Sequence, residues 1–144
     1  MYSKINFIQA QSTNTSVLFN NVLDTNIDEI YCFLLPGVEF IDNSKIKDIL
    51  EIFNKYKEIN GIYTDHNLTQ RGITNAIYFP SFKHSMCKRL TINTPLFCKG
   101  MTSVRFRDFK HLMYYDFLYR MCDNNLLWHF PHILFNVKMT IDQT

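Results

Sequence analysis

A chain of 144 residues is long enough to bury one core and too short for two ordinary domains. Its 47% hydrophobic and 19% charged residues make a folding composition and exclude an extended disordered polymer. A formal net charge of +2, with no Lys/Arg cluster longer than two adjacent residues, argues against a nucleic-acid partner.

Aromatics are in excess, with 13 Phe and 8 Tyr against one Trp, which implies either a thick core or an aromatic surface meant for a partner. The four cysteines, Cys32, Cys87, Cys98 and Cys122, are widely spaced and form no Cys-x-x-Cys pair, so metal-ligand spacing is absent and a reducing compartment is favoured. The start, Met-Tyr-Ser-Lys-Ile-Asn-Phe-Ile, has no signal-peptide layout, and no apolar run reaches membrane-spanning length. The expected setting is therefore cytoplasmic, not secretion by a signal peptide.

Residues 5–8 (Ile-Asn-Phe-Ile) read as a first short strand. Asn14 or Thr15 caps a helix that carries Val17, Leu18, Asn21 and Val22 at helical spacing. The continuous apolar run from Ile30 to Leu35 predicts a buried strand of parallel type, stopped by Pro36-Gly37. From Asn43 or Ser44 an amphipathic helix presents Ile46, Ile49, Leu50, Phe53 and Tyr56 on one face, with Lys45, Lys47, Glu51 and Lys55 opposite. Asn60-Gly61 is expected to end it. Ile62 to Thr64 then forms a strand that delivers Asp65 and His66 to a loop.

Residues 67–75 read as polar and turn-like, and residues 76–79 as strand up to Pro80. Residues 81–89 suggest a short helix, while residues 91–99 alternate loosely around Pro95. Asp108 is expected to cap an aromatic helix running to Cys122, and residues 129–136 a strand entered through a bend at Pro131. There is no internal repeat and no linker, so residues 1–144 are expected to form one α/β domain.

On that helix Arg120 follows Asp116 by four residues, so the two share a face and can pair. Tyr114, Tyr115, Phe117 and Tyr119 ring most of the helix circumference, more than one core face consumes, and they are expected to form an interaction surface. His84, His111 and His132 have no partner at ligand spacing, so no metal site is expected from them.

A helix ending Tyr-Asp-Phe-Leu-Tyr-Arg120, followed by His129-Phe-Pro-His-Ile-Leu-Phe135, resembles the C-terminal part of inverting glycosyltransferases of family 2, which have the GT-A fold. In that family a Glu-Asp-Tyr-Asp-Leu-x-x-Arg helix precedes a His-Ile-Pro-x-Val-Leu-Tyr-His strand. Three further pieces are similar in the same order: residues 14–40, the Tyr63-Thr-Asp65 strand end, and Phe79-Pro-Ser-Phe82. The resemblance implies a truncated GT-A-like mixed sheet with flanking helices, lacking the N-terminal nucleotide-binding half.

The departures from the family fall on its chemistry. Where the resemblance implies an Asp-x-Asp turn that holds Mg²⁺ or Mn²⁺ against a nucleotide diphosphate, this chain has Leu35-Pro36-Gly37, and the next carboxylate is Glu39. Counting back from Arg120, Asp116 matches the second acid of the helix motif, while the general-base position is Tyr114, a poor base at neutral pH. The family's last-strand His is replaced by Asn136.

Two functions stay open. One is a non-catalytic module with no cofactor, acting through a protein partner or a homo-oligomer, with a phage virion component as one setting. The other is a divergent sugar transferase completed by a second chain. In it Asp65 and Asp116 take the catalytic acid roles, Glu39, Arg120 and His129 contact ligand, and Mn²⁺ or Mg²⁺ is required. A carbohydrate-binding remnant using Trp128 as a stacking platform is a weaker third.

Overall fold

The computed structural model describes residues 5–8, 15–25, 29–79, 95–100, 102, 104–108, 112–124 and 126–139. Within them the chain builds β1 (Ile5–Ile8), α1 (Thr15–Thr25), β2 (Ile30–Phe33), β3 (Val38–Phe40), α2 (Ile46–Lys55), β4 (Ile59–Gln70), β5 (Ile73–Ile77), β6 (Leu96–Lys99), α3 (Met113–Asn124) and β7 (Leu126–Met139). The strands form one mixed sheet in the order β1-β2-β6-β4-β7-β3, with β5 bonded to β4 beside that path. The β1–β2 and β4–β7 pairs are parallel, and the other pairs are antiparallel. The fold is mixed α/β, with helices flanking the sheet.

Both sheet faces are covered, which is why β2 reads as an unbroken apolar run. Tyr31 and Phe33 face α1 and α3, together with Tyr63, Leu96, Cys98 and Leu127. Ile30 and Cys32 face the other way, with Ile62, Phe97, Leu134 and Phe135, onto Ile49 and Phe53 of α2. The α1 face that is buried is Phe19 and Leu23, whereas Val17, expected on the apolar stripe, is exposed. A 3-10 turn, Asn43–Lys45, opens α2, and the Asp42 carboxylate caps it by accepting from Ser44 N at 3.0 Å.

Several expected boundaries move. The α2 helix stops at Lys55, and Asn60-Gly61 lies inside β4 instead of ending the helix. A side chain at Gly61 would put its Cβ 2.8 Å from Leu127 Cδ2 and 3.2 Å from Leu96 Cδ1, so the glycine serves close packing between strands. Asp65 and His66 are buried strand residues, not loop residues. The stretch expected to be turn-like is a hairpin: β4 and β5 are joined by Arg71-Gly72, both at positive φ as a tight two-residue turn requires. Asp108 lies five residues ahead of Met113, where α3 begins, so it does not cap that helix at the expected position. The expected helix over 81–89 and the candidate cap Asn14 lie outside the described residues.

The β7 strand is longer than expected and runs through Pro131 without ending. Its parallel ladder with β4 shifts once between Ile59 and Gly61, keeps one register from Gly61↔Leu127 to Thr64↔Phe130, then slips to Asp65↔Ile133 and His66↔Phe135. Pro131 and His132 are thereby extruded as a bulge, the position in a strand where a missing N–H costs least. Beyond β2, the turn at Pro36-Gly37 is fastened to the far end of β7. Lys138 N donates to Gly37 O at 2.7 Å.

Gly37 has φ +87°, and an added Cβ would collide with the main-chain oxygen of Lys138. Gly37→Ala is therefore expected to lower unfolding free energy by more than about 1 kcal/mol, combining backbone strain with a main-chain clash. Gly61→Ala is expected to cost about 1–3 kcal/mol by overpacking, relieved partly by movement of Leu127 and Leu96. Urea midpoints of the two variants against wild type measure both effects.

Candidate functional site

Asp65 stands at the slip between β4 and β7, and its position explains its partners. Its Oδ1 accepts from Phe79 N at 2.8 Å, where the chain leaves β5, and lies 2.8 Å from His129 Nε2 on β7. A carboxylate oxygen accepts, so the imidazole Nε2 carries the proton of this contact. The two side chains are 4% and 9% exposed, so the pair is almost fully withdrawn from solvent. Tyr63 stacks on the His129 ring at 5.1 Å, and Phe79 stands edge-on to Tyr63 at 5.8 Å. Burial pushes the Tyr63 hydroxyl pKa up, keeping it neutral. The sequence candidates Asp65 and His129 are thus brought together by the parallel pairing of two distant strands.

A second cluster forms at α3. Asp116 is bound by Arg120 through Nε at 3.1 Å and Nη2 at 2.7 Å, as the four-residue spacing predicts. Arg107 adds a two-pronged contact, Nε at 3.1 Å and Nη2 at 2.5 Å. Burial by itself would raise the Asp116 carboxyl pKa, but the hydrogen bonds from Arg107 and Arg120, with their charges, hold it below the usual carboxylate range. Arg120 also donates to Arg105 O, and Arg105 pairs with Asp24 of α1 at 2.7 Å. Sequence spacing carried no sign of Arg107 or Arg105, because the loop that bears them has no periodicity relating it to α3.

The remaining candidates are elsewhere. Glu39 is exposed on β3, opposite Asn136, and belongs to neither cluster. Tyr114 and Phe117 are core residues, not surface ones. Phe117 stacks face to face with Phe106 at 3.9 Å, and Phe106 meets Phe19 and Phe33 edge-on at 5.0 and 5.1 Å. Much of the aromatic surplus is consumed there. Of the expected interaction surface, only Tyr119 is exposed and Tyr115 half-buried, the two rings lying 6.5 Å apart. Trp128 stacks on Tyr56 at 5.3 Å, so one of its faces is already covered.

Cys32, Cys98 and Cys122 are buried free thiols. Burial pushes Cys98 up to about 12, which leaves it inert as a nucleophile. Cys87, His84 and His111 lie outside the described residues. Among the described residues no group of three or more His, Cys, Asp or Glu side chains is arranged to hold a metal ion.

His66, next to Asp65, is fully buried, and neither ring nitrogen has a hydrogen-bond partner. Burial drives its pKa down to about 4, against the opposing pull of the Asp65 carboxylate. The folded value is below the unfolded one, near 6.5, so between these values the unfolded chain binds more protons and stability rises with pH. Between pH 7 and 4 this group is expected to remove about 3 kcal/mol of stability. In urea titrations at pH 7 and pH 4.5, His66→Leu should show a smaller loss than wild type.

The Asp65 junction yields a second expectation. Asp65→Ala strands a buried N–H and a buried imidazole, and should cost about 2–4 kcal/mol. Asp65→Asn keeps an acceptor for one of them and should cost less; thermal melts rank the two.

In comparison with known proteins, no family model matches the chain and no curated protein matches it.

Proposed function

We propose that this chain is a non-catalytic glycosyltransferase-like domain of truncated GT-A type, used as a structural or protein-interaction module, with a phage virion as its setting. The observation that carries the reading is where the carboxylates are spent. A cation-dependent sugar transferase needs acids free to ligate a divalent ion and to deprotonate an acceptor hydroxyl. Here Asp116 is clamped by two guanidiniums, and Asp65 is held by His129 and the Phe79 N–H. Glu39 faces solvent on a different strand.

The turn that corresponds to the family's metal site supports the same reading. Val38 N closes it on Leu35 O at 3.1 Å, and Gly37 is tied to β7 through Lys138 N. A turn sealed by its own backbone bonds, with leucine, proline and glycine in it, offers an incoming diphosphate and cation no anionic ligand. The order of the resembling pieces supports descent from a transferase: the run ending in β2, then Tyr63-Thr-Asp65 on β4, Phe79, α3 and β7.

One observation favours the second reading, a divergent transferase completed by another polypeptide. Asp65 and His129 make a buried carboxylate–imidazole pair, an arrangement that elsewhere orients a general base. In that reading Asp65 and Asp116 act as acids, Arg120, His129 and Glu39 touch ligand, and Mn²⁺ or Mg²⁺ bridges the phosphates.

Isothermal titration calorimetry with UDP-sugars and GDP-sugars, each with and without Mn²⁺, separates the two. No binding heat beyond dilution is expected. Metal-dependent saturable binding would replace the non-catalytic reading with the transferase.

A further inference from the structure

The β4–β5 hairpin carries an edge to which no other described strand pairs. Among the described residues β5 pairs with β4 alone, so every second N–H and C=O of Ile73–Ile77 points away from the sheet. Residues 73–76 are exposed, Ile73 by 63%, and Tyr78 just beyond is 71% exposed. Natural edge strands are ordinarily protected by a charge, a proline or a bulge. Ile-Thr-Asn-Ala-Ile has none of these, and the nearest charged residue along the chain is Arg71 in the turn.

The sequence of this edge is nearly symmetric about Asn75. If two copies of it are laid antiparallel around that residue, Ile73 stands opposite Ile77 of the second copy, Thr74 opposite Ala76, and Asn75 opposite Asn75. Arg71 falls opposite position 79, so no like charges meet across the axis. Residues 73, 75 and 77 share one face of the strand. On that face Ile77 already packs against the core cluster that includes Tyr63 and Phe79. Ile73 of the second copy would land beside Ile77 and extend that cluster, removing from water the isoleucine that each single copy leaves exposed.

We infer that the β5 edge joins a second copy of this chain, antiparallel across a twofold axis at Asn75, continuing the sheet from one protomer to the next. A twofold pairing is closed, so it yields a dimer rather than a fibre. A ribbon of this length is a small interface, so the association is concentration-dependent. The inference rests on the reading of the chain as an assembly module, and adds which edge assembles and with what.

The test uses the full chain. Sedimentation equilibrium over a concentration series should show the mass rising toward twice the monomer mass in wild type. Asn75→Lys, which sets two ammonium groups face to face, should remain monomeric with an unchanged circular dichroism spectrum. Under mild oxidation Asn75→Cys should form a 75–75 disulfide, because directly opposed strand residues have Cα atoms about 5 Å apart. Arg71→Cys should not, its two copies being separated by roughly 27 Å along the paired strands at ~3.3 Å per residue.

A multimer that survives Asn75→Lys and gives no 75–75 linkage overturns this edge as the interface while leaving assembly in place. A wild-type chain that stays monomeric throughout, with no 75–75 linkage in the Asn75→Cys variant, overturns self-association altogether. Neither outcome bears on whether nucleotide sugars bind, which the calorimetry decides separately.

Discussion

The parallel ladder between β4 and β7 is the constraint on which the other features depend. It joins residues 59–70 to residues 126–139, and its slip at Thr64–His66 absorbs a proline that a regular strand would not tolerate. The slip has a polar consequence. With the registers offset, Asp65 comes to face both His129 and the Phe79 N–H, so a single carboxylate oxygen ties β4, β7 and the exit of β5. A buried acid with two donors is stable where a lone one is not, since each partner removes part of the cost of leaving water. The neighbouring His66 has no such partners, and its neutral form is the only one the site accommodates at ordinary pH.

Around this ladder the aromatic residues do the packing. Phe106, on a segment with no regular structure, is held in place by Asn20 of α1, whose side-chain amide both donates to Phe106 O at 2.9 Å and accepts from Phe106 N at 2.8 Å. That pair of bonds satisfies backbone groups that no strand would satisfy, and it sets the Phe106 ring against Phe117, Phe19 and Phe33. The helix α3 therefore turns Tyr114 and Phe117 inward and leaves Tyr119 exposed. The exposed apolar side chains of the β4–β5 hairpin, at Ile73 and Tyr78, lie at a sheet edge and not on a helix.

The ionic groups follow the same economy. Asp116 is neutralised by two arginines from different segments, and Arg105 reaches from the same region to Asp24 on α1. Such a network joins α1, the 104–108 segment and α3 across their solvent side. In a transferase, carboxylates at these positions would be held open for metal and substrate. Here Asp116 and Asp24 are held in ion pairs that close the structure on itself.

The sequence by itself determined the α/β class, the first two strands, the amphipathic helix of α2 and the Asp116–Arg120 pair, because each is written in local periodicity or i, i+4 spacing. It missed the length of β4 and β7. Polar residues such as Asp65, His66, Asn67 and Thr69 read as loop until partner strands supply their hydrogen bonds: β7, more than sixty residues away, on one side, and from His66 onward β5 on the other. Asn60-Gly61 read as a turn for the same reason: a glycine demanded by Leu127 and Leu96 looks, along the chain, like one demanded by backbone geometry. The meeting of Asp65 with His129, and of Arg107 with Asp116, was decided only by tertiary structure. Contacts between residues distant in the chain leave no periodic trace in it, since they are set by register and packing rather than by spacing.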